Sequence, residues 1–272
     1  AASFVVTKAP RANRNISKLI EDDVEITNKE EILNKLQDNF FSTVGQIFQP
    51  QRTLEAFLAE HGVEMPALEE EDTMQMDLEF SKEEVKLAIS SSKASSAPGP
   101  SGQTIALYKY IFSEIPTIFC KALNELAFVP GLIFAPPFSW LRERRIVFIP
   151  KPGKDGNQIS NLRPLSLLET LYKIKTRILN ERIAGTMEKI LYSEQHGFCR
   201  NRSIQTATVP VLEAIHDAEK HGRPLQLLSI DLKAAFDTIS PQVIYDVMDR
   251  EKFPPTYIEV MQRLTATGKA RV

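Results

Sequence analysis

One carboxylate, Asp231, stands at the end of an apolar run, Leu225-Gln226-Leu227-Leu228-Ser229-Ile230, and an aromatic, Phe236, follows five positions later. The run has the length and composition of a buried strand, so the pattern predicts a strand ending on Asp231 and a helical segment directly after it. A carboxylate at the carboxyl end of a central strand lies where many α/β sites handle metals and phosphates. A strand edge also holds it rigidly, as a metal site requires. The chemistry this would serve is phosphoryl transfer, which in its two-metal form needs at least two carboxylates to hold cations roughly 3.5–4 Å apart. Asp237 lies on the helix side and is expected to face elsewhere. Asp22 and Asp23 have no strand around them. On its own surroundings, Asp231 reads equally as a helix cap or turn residue.

A second group could handle phosphate. Arg144, Arg145, Lys151, Lys154 and Arg163 flank a turn, Pro150-Lys151-Pro152-Gly153-Lys154-Asp155-Gly156-Asn157. Lys is a flexible point charge and Arg a planar fork that can bind phosphate bidentately. A β-ribbon carrying them could fold over a triphosphate or track a nucleic-acid backbone. Charge alone favours an ordinary solvated face. The sequence PGKDG lacks the spacing of a phosphate-binding P-loop. His196, in Gln195-His196-Gly197-Phe198, reads as part of a turn rather than an acid–base pair.

The elements that must position these groups follow from spacing. Residues 1–26 are mixed and polar and are expected to be loosely held. Thr27 and Glu30 read as a capping box opening a helix with Ile32, Leu33, Leu36, Phe40, Val44 and Ile47 at helical spacing. The acidic stretch up to Glu79 reads as a surface connection. Ser81 and Glu84 form a second capping box. Residues 90–102, SSSKASSAPGPSG, are a loop by composition. A helix over 104–128 is expected to break at Pro116. Residues 144–149 and 162–167 read as the two strands of a ribbon, residues 169–191 as a long helix, and residues 209–221 as another. Ser240-Pro241 suits the cap and first turn of one more. Helices first, then a ribbon, then βα units is an α+β pattern.

Composition bounds the function. The 272 residues are 43% hydrophobic and carry a net charge of −2, so no global field points to nucleic acid or membrane. The charge is unevenly spread: residues 55–84 hold eleven acids against one Lys, while 142–163 and 172–202 each carry a net +4. Cys120 and Cys199 have no CxxC spacing, which excludes a recognisable zinc site and a disulfide-rich scaffold. They read as buried or idle thiols. No apolar run is long enough to cross a membrane. Residues 267–272 look like the start of a turn and strand, and the chain reads as part of something longer.

Taken in order, five blocks resemble the reverse transcriptases of non-LTR (LINE-type) retrotransposons. Residues 96–102, SAPGPSG, are similar to the family's loop ahead of the fingers, usually SPGPDG. Residues 145–154, RIVFIPKPGK, resemble the first fingers strand and turn, and residues 161–168, NLRPLSLL, the returning strand. Residues 193–203, SEQHGFCRNRS, are similar to the QxGFxxxRS block, and residues 229–239, SIDLKAAFDTI, to the first catalytic palm motif.

The resemblance implies a right-hand polymerase fold: a mostly helical N-terminal extension over 1–92, fingers over 93–205, and the first part of a palm over 206–272. It implies RNA-directed DNA polymerase activity with template RNA, a DNA primer or target, dNTP and two Mg2+ ions as partners, in the nucleus and cytoplasm. Asp231 would hold the metals and Leu232 would offer its backbone carbonyl to one. Phe236 would be the steric gate under the sugar, and Arg163, assisted by Lys151, would grip the triphosphate. Gln195, Gly197, Phe198, Arg200 and Ser203 would line the template path.

The sequence departs from the family at Ser101, where Asp is usual, and at Asn201, where a small residue or Gly often precedes Arg202. The family's aromatic-x-Asp-Asp block and the Gln-Gly block before it are absent, so these 272 residues are expected to be inactive alone, and exposed apolar surface is expected to drive self-association. The alternative is a non-catalytic RNA-binding or assembly module of the same origin. A soluble α+β domain without a nucleic-acid role is the bland third reading.

Overall fold

The computed structural model describes residues 16–44, 53–62, 68–232, 235–266 and 269–271. It begins with a hairpin, β1 (Leu19–Glu21) and β2 (Val24–Ile26), followed by helices α1 (Lys29–Val44), α2 (Leu54–His61), α3 (Glu70–Thr73), α4 (Lys82–Ser90), α5 (Ile105–Glu114) and α6 (Pro116–Phe128). Two one-turn 3-10 helices lead into the ribbon, β3 (Arg144–Pro150) and β4 (Leu162–Leu168). Helices α7 (Thr170–Ile190), α8 (Ile204–Lys220), α9 (Ala235–Thr238), α10 (Pro241–Arg250) and α11 (Pro255–Thr265) precede a final short strand, β5 (Ala270–Arg271). Strands β3 and β4 pair antiparallel, and β5 pairs parallel with β3.

Local chemistry sets most boundaries. Ser81 and Glu84 reciprocally cap α4, as the spacing predicts. Pro116 ends one helix and starts the next, because it has no N–H to give an interior turn. Pro241 likewise opens α10, although the Ser240 side chain makes no capping bond. At α1 the cap shifts by one residue: the Asn28 side chain, not Thr27, accepts from the backbone N–H groups of Glu30 and Glu31. Helix α8 starts at Ile204 rather than 209, because Ser203 and Thr206 form a capping box.

The long helix α7 is the spine of the main core. Leu171, Ile174, Ile178 and Leu179 bury one side of it against Phe119, Leu123 and Leu126 of α6 and Tyr257, Ile258 and Leu264 of α11. The Tyr172 hydroxyl donates to the Leu264 carbonyl, and the Tyr257 hydroxyl to that of Leu179, which ties α7 to α11 at both levels. Residues 68–90 join this same core through Leu68, Met76, Phe80, Val85 and Ile89. Asn124, buried on α6, accepts from the Phe80 N–H at 2.7 Å and donates to its carbonyl at 3.1 Å, so its amide is satisfied on both sides.

Three expectations are corrected. Residues 16–26 are not loosely held: they form the β1–β2 hairpin, and Leu19 is 0% exposed. Asp22 and Asp23 are the two central residues of its turn, both with positive φ, the conformation a two-residue hairpin loop of this kind demands. The acidic stretch carries two helices, α2 and α3, and buries Leu58, Leu68 and Met76. Most importantly, residues 225–230 form no strand. They have no regular backbone structure, and Leu228 and Ile230 are 85% and 77% exposed. A strand needs a neighbour for its N–H and C=O groups, and no described strand lies beside this segment.

Candidate nucleotide and template site

The fingers-like ribbon sorts its side chains by the two-residue period of a strand. Ile146, Phe148 and Leu162 point to the packed face, and Ile146 and Leu162 are buried. The other face carries Arg145, Val147 and Ile149 opposite Leu167, Leu165 and Arg163. It is an apolar platform with one arginine at each end. Arg145 is spent on the Pro100 carbonyl at 3.5 Å. Arg163 is exposed and has no hydrogen-bond or ion-pair partner among the described residues, so its fork is available to an anion. Lys151 is turned onto its own loop, donating to the Ser160 carbonyl at 2.7 Å. Asp155 accepts from the Asn157 backbone and side chain and is a turn residue.

Several basic side chains of 172–202 are held by partners within the chain, some buried and some at the surface. Lys173 donates to the Ala97 carbonyl, Arg177 to the Ser91 hydroxyl, and Arg202 to the carbonyls of Tyr192 and Gln195. Lys189 pairs with Asp72 and Arg200 with Glu181. Lys175 is buried. Arg182, its side chain 4% exposed, grips both Glu84 carboxylate oxygens at 2.7 and 2.9 Å, donates to the carbonyls of Met76, Leu78 and Glu79, and lies over the Phe80 ring. Burial pushes the Glu84 carboxyl up, but the Arg182 hydrogen bonds and the Ser81 N–H outweigh it and hold it below the usual range. Lys175 and Arg182 are thus interior residues, while Lys189 and Arg200 stay exposed at the surface.

The loop 96–102 is docked onto the start of α7. Ser101 donates its N–H to one Glu169 oxygen at 2.8 Å and its hydroxyl to the other at 2.5 Å. Thr170 donates its hydroxyl to the Gln103 carbonyl at 2.6 Å. A Cβ on Gly99 would come within 2.7 Å of the Glu169 backbone, so only Gly fits. The departure at Ser101 thus keeps an anchor: beside a buried Glu, a serine donates where an aspartate would repel.

The 193–203 block is a knotted turn. Gln195 bends back to donate to the Gly197 carbonyl, Ser203 caps α8, and Arg202, which the sequence reading passed over, holds the turn's carbonyls. Cys199 donates to the carbonyl of Gln195 and Cys120 is buried, matching the idle-thiol expectation. Asn201 has a φ of 58°, which accounts for the glycine often found there and for Asn as its substitute. Phe198 also has positive φ, a strained state for a bulky residue, and its ring is 96% exposed. It meets the Phe236 ring edge-on, with centroids 5.5 Å apart. The structure thus brings together one residue of the 193–203 block and one of the 229–239 block.

Asp231 and Leu232 are exposed and in irregular backbone. No hydrogen bond or ion pair joins Asp231 to Arg163. The Asp237 side chain lies outside the described residues, and no group of three His, Cys, Asp or Glu that could hold a metal occurs among the described residues. Asp231 and the Leu232 carbonyl are oxygen donors of the kind Mg2+ takes. Among the described residues they belong to no cluster that could hold a metal.

Comparison with known proteins places these features. Residues 149–271 match the family model for reverse transcriptase (RNA-dependent DNA polymerase). That stretch, from the end of β3 through β5, is therefore a reverse transcriptase segment. The chain is similar to the transposon TX1 uncharacterized 149 kDa protein of Xenopus laevis, at 25% identity over 76% of this chain and 15% of the relative. It is also similar to the Pol polyprotein from the type-1 retrotransposable element R2 of Popillia japonica, at 28% identity over 63% and 22%. A third relative is the probable RNA-directed DNA polymerase from transposon BS of Drosophila melanogaster, at 28% identity over 66% and 19%. These relatives are named as proteins of transposons or a retrotransposable element, and the chain spans less than a quarter of the length of each.

Proposed function

We propose that this chain supplies the fingers and the first palm segment of an RNA-directed DNA polymerase that copies template RNA from a DNA primer. The family match over residues 149–271 together with Arg163, exposed on the ribbon face and without a partner among the described residues, carries the reading. Arg163 would bind the dNTP triphosphate, the apolar platform of Val147, Ile149 and Leu165 would take up a base, and Phe236 would exclude a 2′-hydroxyl. Phe198, exposed and in contact with Phe236, would line the template path with Gln195 and Gly197. Arg200 and Ser203 would act there by holding the turn rather than by touching template, since both are committed to internal partners.

Mg2+ would supply charge neutralisation at the transferring phosphoryl group. Asp231 and the Leu232 carbonyl are the residues here that would contribute to holding it. Positioning and charge stabilisation do most of the work in such transfers, and one carboxylate does not replace a pair. Primer extension by these 272 residues alone is accordingly expected to be undetectable, and Mg2+-dependent extension by them would contradict that. Exposed apolar surface over residues 225–232 and on α8 supports self-association of the isolated chain. No described helix is long and apolar enough to cross a membrane.

The nucleotide assignment is tested by single-nucleotide incorporation in the full-length protein. Arg163→Ala should raise the dNTP KM by about tenfold or more, the loss expected for a charge-assisted phosphate contact. Phe236→Ala should admit ribonucleotides. An unchanged KM and unchanged sugar selectivity would refute it. Salt-sensitive RNA binding that persists when incorporation is absent in the full-length protein would favour a non-catalytic RNA-binding module.

A further inference from the structure

The first described residues make a core of their own, separate from the main one. Leu19 and Ile26 of the hairpin and Ile32 and Leu36 of α1 close over Leu162, with Ile16, Phe148 and Ile159 around them. Leu162, Phe148 and Ile159 belong to the ribbon and its turn. Leu162 immediately precedes Arg163, and Phe148 lies across the ladder from Pro164 on the other side of it. The backbone joins as well: the Ile20 N–H donates to the Asn157 carbonyl at 2.7 Å, and Ile20 bridges Gln158 in parallel. Lys35 of α1 pairs with Glu21 of the hairpin at 2.6 Å, making the two one body. Helix α1 also lies against α9, the short helix that carries Phe236. One element thus touches the back of the ribbon that presents Arg163 and the helix that presents Phe236.

We propose that residues 16–44 are a positioning brace that sets the spacing between Arg163 and Phe236. This rests on the reading of those two residues as the triphosphate and sugar contacts of one dNTP. Beyond the short pairing with β5 at Arg144 and Arg145, the ribbon is two-stranded with an exposed turn, and such a pair is marginal without support. Buried Leu162 and half-buried Phe148 of the ribbon, with half-buried Ile159 of its turn, pack against the hairpin and α1 and supply that support. Because α1 contacts α9 as well, loosening the brace should change how the two contacts are registered, without removing either.

The test uses the full-length protein with Ile32→Asp and Leu36→Asp together, with Leu36→Ala as a milder variant and Ile32→Val as the conservative one. Hydrogen exchange should speed up by about tenfold or more at the ribbon amides over 148–162 while α7 amides keep their rates, as expected for local opening. In the same variants the dNTP KM should rise roughly five- to tenfold with kcat within about twofold, and discrimination against ribonucleotides should fall. Ile32→Val should restore all three. If the double variant also opens α7, Leu36→Ala carries the same readouts with smaller shifts. Unaltered ribbon exchange overturns the brace, and a loosened ribbon with unchanged KM and sugar selectivity overturns the positioning role. If instead Arg163→Ala and Phe236→Ala leave KM and selectivity untouched, the dNTP reading fails, and the exchange data still report whether the brace holds the ribbon.

Discussion

Ser101, Glu169 and Gly99 show how a departure from a family pattern can be compensated on the spot. The Glu169 carboxylate is buried and takes both Ser101 donors. Restoring the family's usual residue with Ser101→Asp should therefore destabilise the fold, by about 2–3 kcal/mol, since it sets a second carboxylate against a buried one. Urea unfolding at neutral pH measures this, and a neutral or stabilising result would mean the loop carries the anchor elsewhere. Lys175 is a second residue-scale case. It is 1% exposed with no hydrogen-bond partner for its Nζ among the described residues, and burial pulls its pKa down to about 8 from 10.5. Below that value folded and unfolded chains both hold the proton, and the folded chain bears the whole desolvation cost. Between the two values the unfolded chain holds more protons, so the residue's contribution to stability rises with pH. Lys175→Met should stabilise at pH 7 by on the order of 2–3 kcal/mol, and the difference should shrink as pH approaches 10. A constant difference across that range would show that the amine is not buried as described.

At the scale of elements, Arg182 pins the segment before α4 to α7. It donates to three backbone carbonyls and to the Glu84 carboxylate, which the Ser81 N–H also reaches. Arg182→Ala should cost about 3 kcal/mol, the scale for removing one partner of a buried pair, measured by denaturant unfolding. Glu84's depressed pKa makes its share of that stability present at neutral pH and lost as pH falls through the folded value. Helices with strong signals were legible from the sequence: the Ser81 box, the Pro116 break and the apolar stripe of α7 each rest on local chemistry. The β1–β2 hairpin was not, because each strand is three residues long and its burial depends on Leu162, more than 130 positions away. Residues 225–230 mislead in the opposite direction. Their apolar run has strand composition, but composition supplies no pairing partner. The Arg and Lys of 172–202 were likewise ambiguous in sequence, since a carbonyl partner leaves no trace in spacing.

For the whole molecule, the division of labour is clear. One core runs from Leu68 to Leu264 around α7, a smaller one backs the ribbon, and the segment bearing Asp231 and the outer face of α8 stay exposed. Arg163 and Phe236 are candidate dNTP contacts only through the resemblance of their blocks to the family motifs, since neither spacing nor charge singles them out. The contact of Phe198 with Phe236 was not legible, because it joins two blocks that neither spacing nor charge connects. The central claim, a polymerase active-site floor at Asp231, is tested most directly by extension of a DNA primer on an RNA template by the full-length protein and its Asp231→Asn variant in the presence of Mg2+. The wild type should incorporate dNTP and the variant should lose at least about a thousandfold, the scale for removing an essential charge from phosphoryl transfer. Incorporation by the variant at the wild-type rate would contradict it.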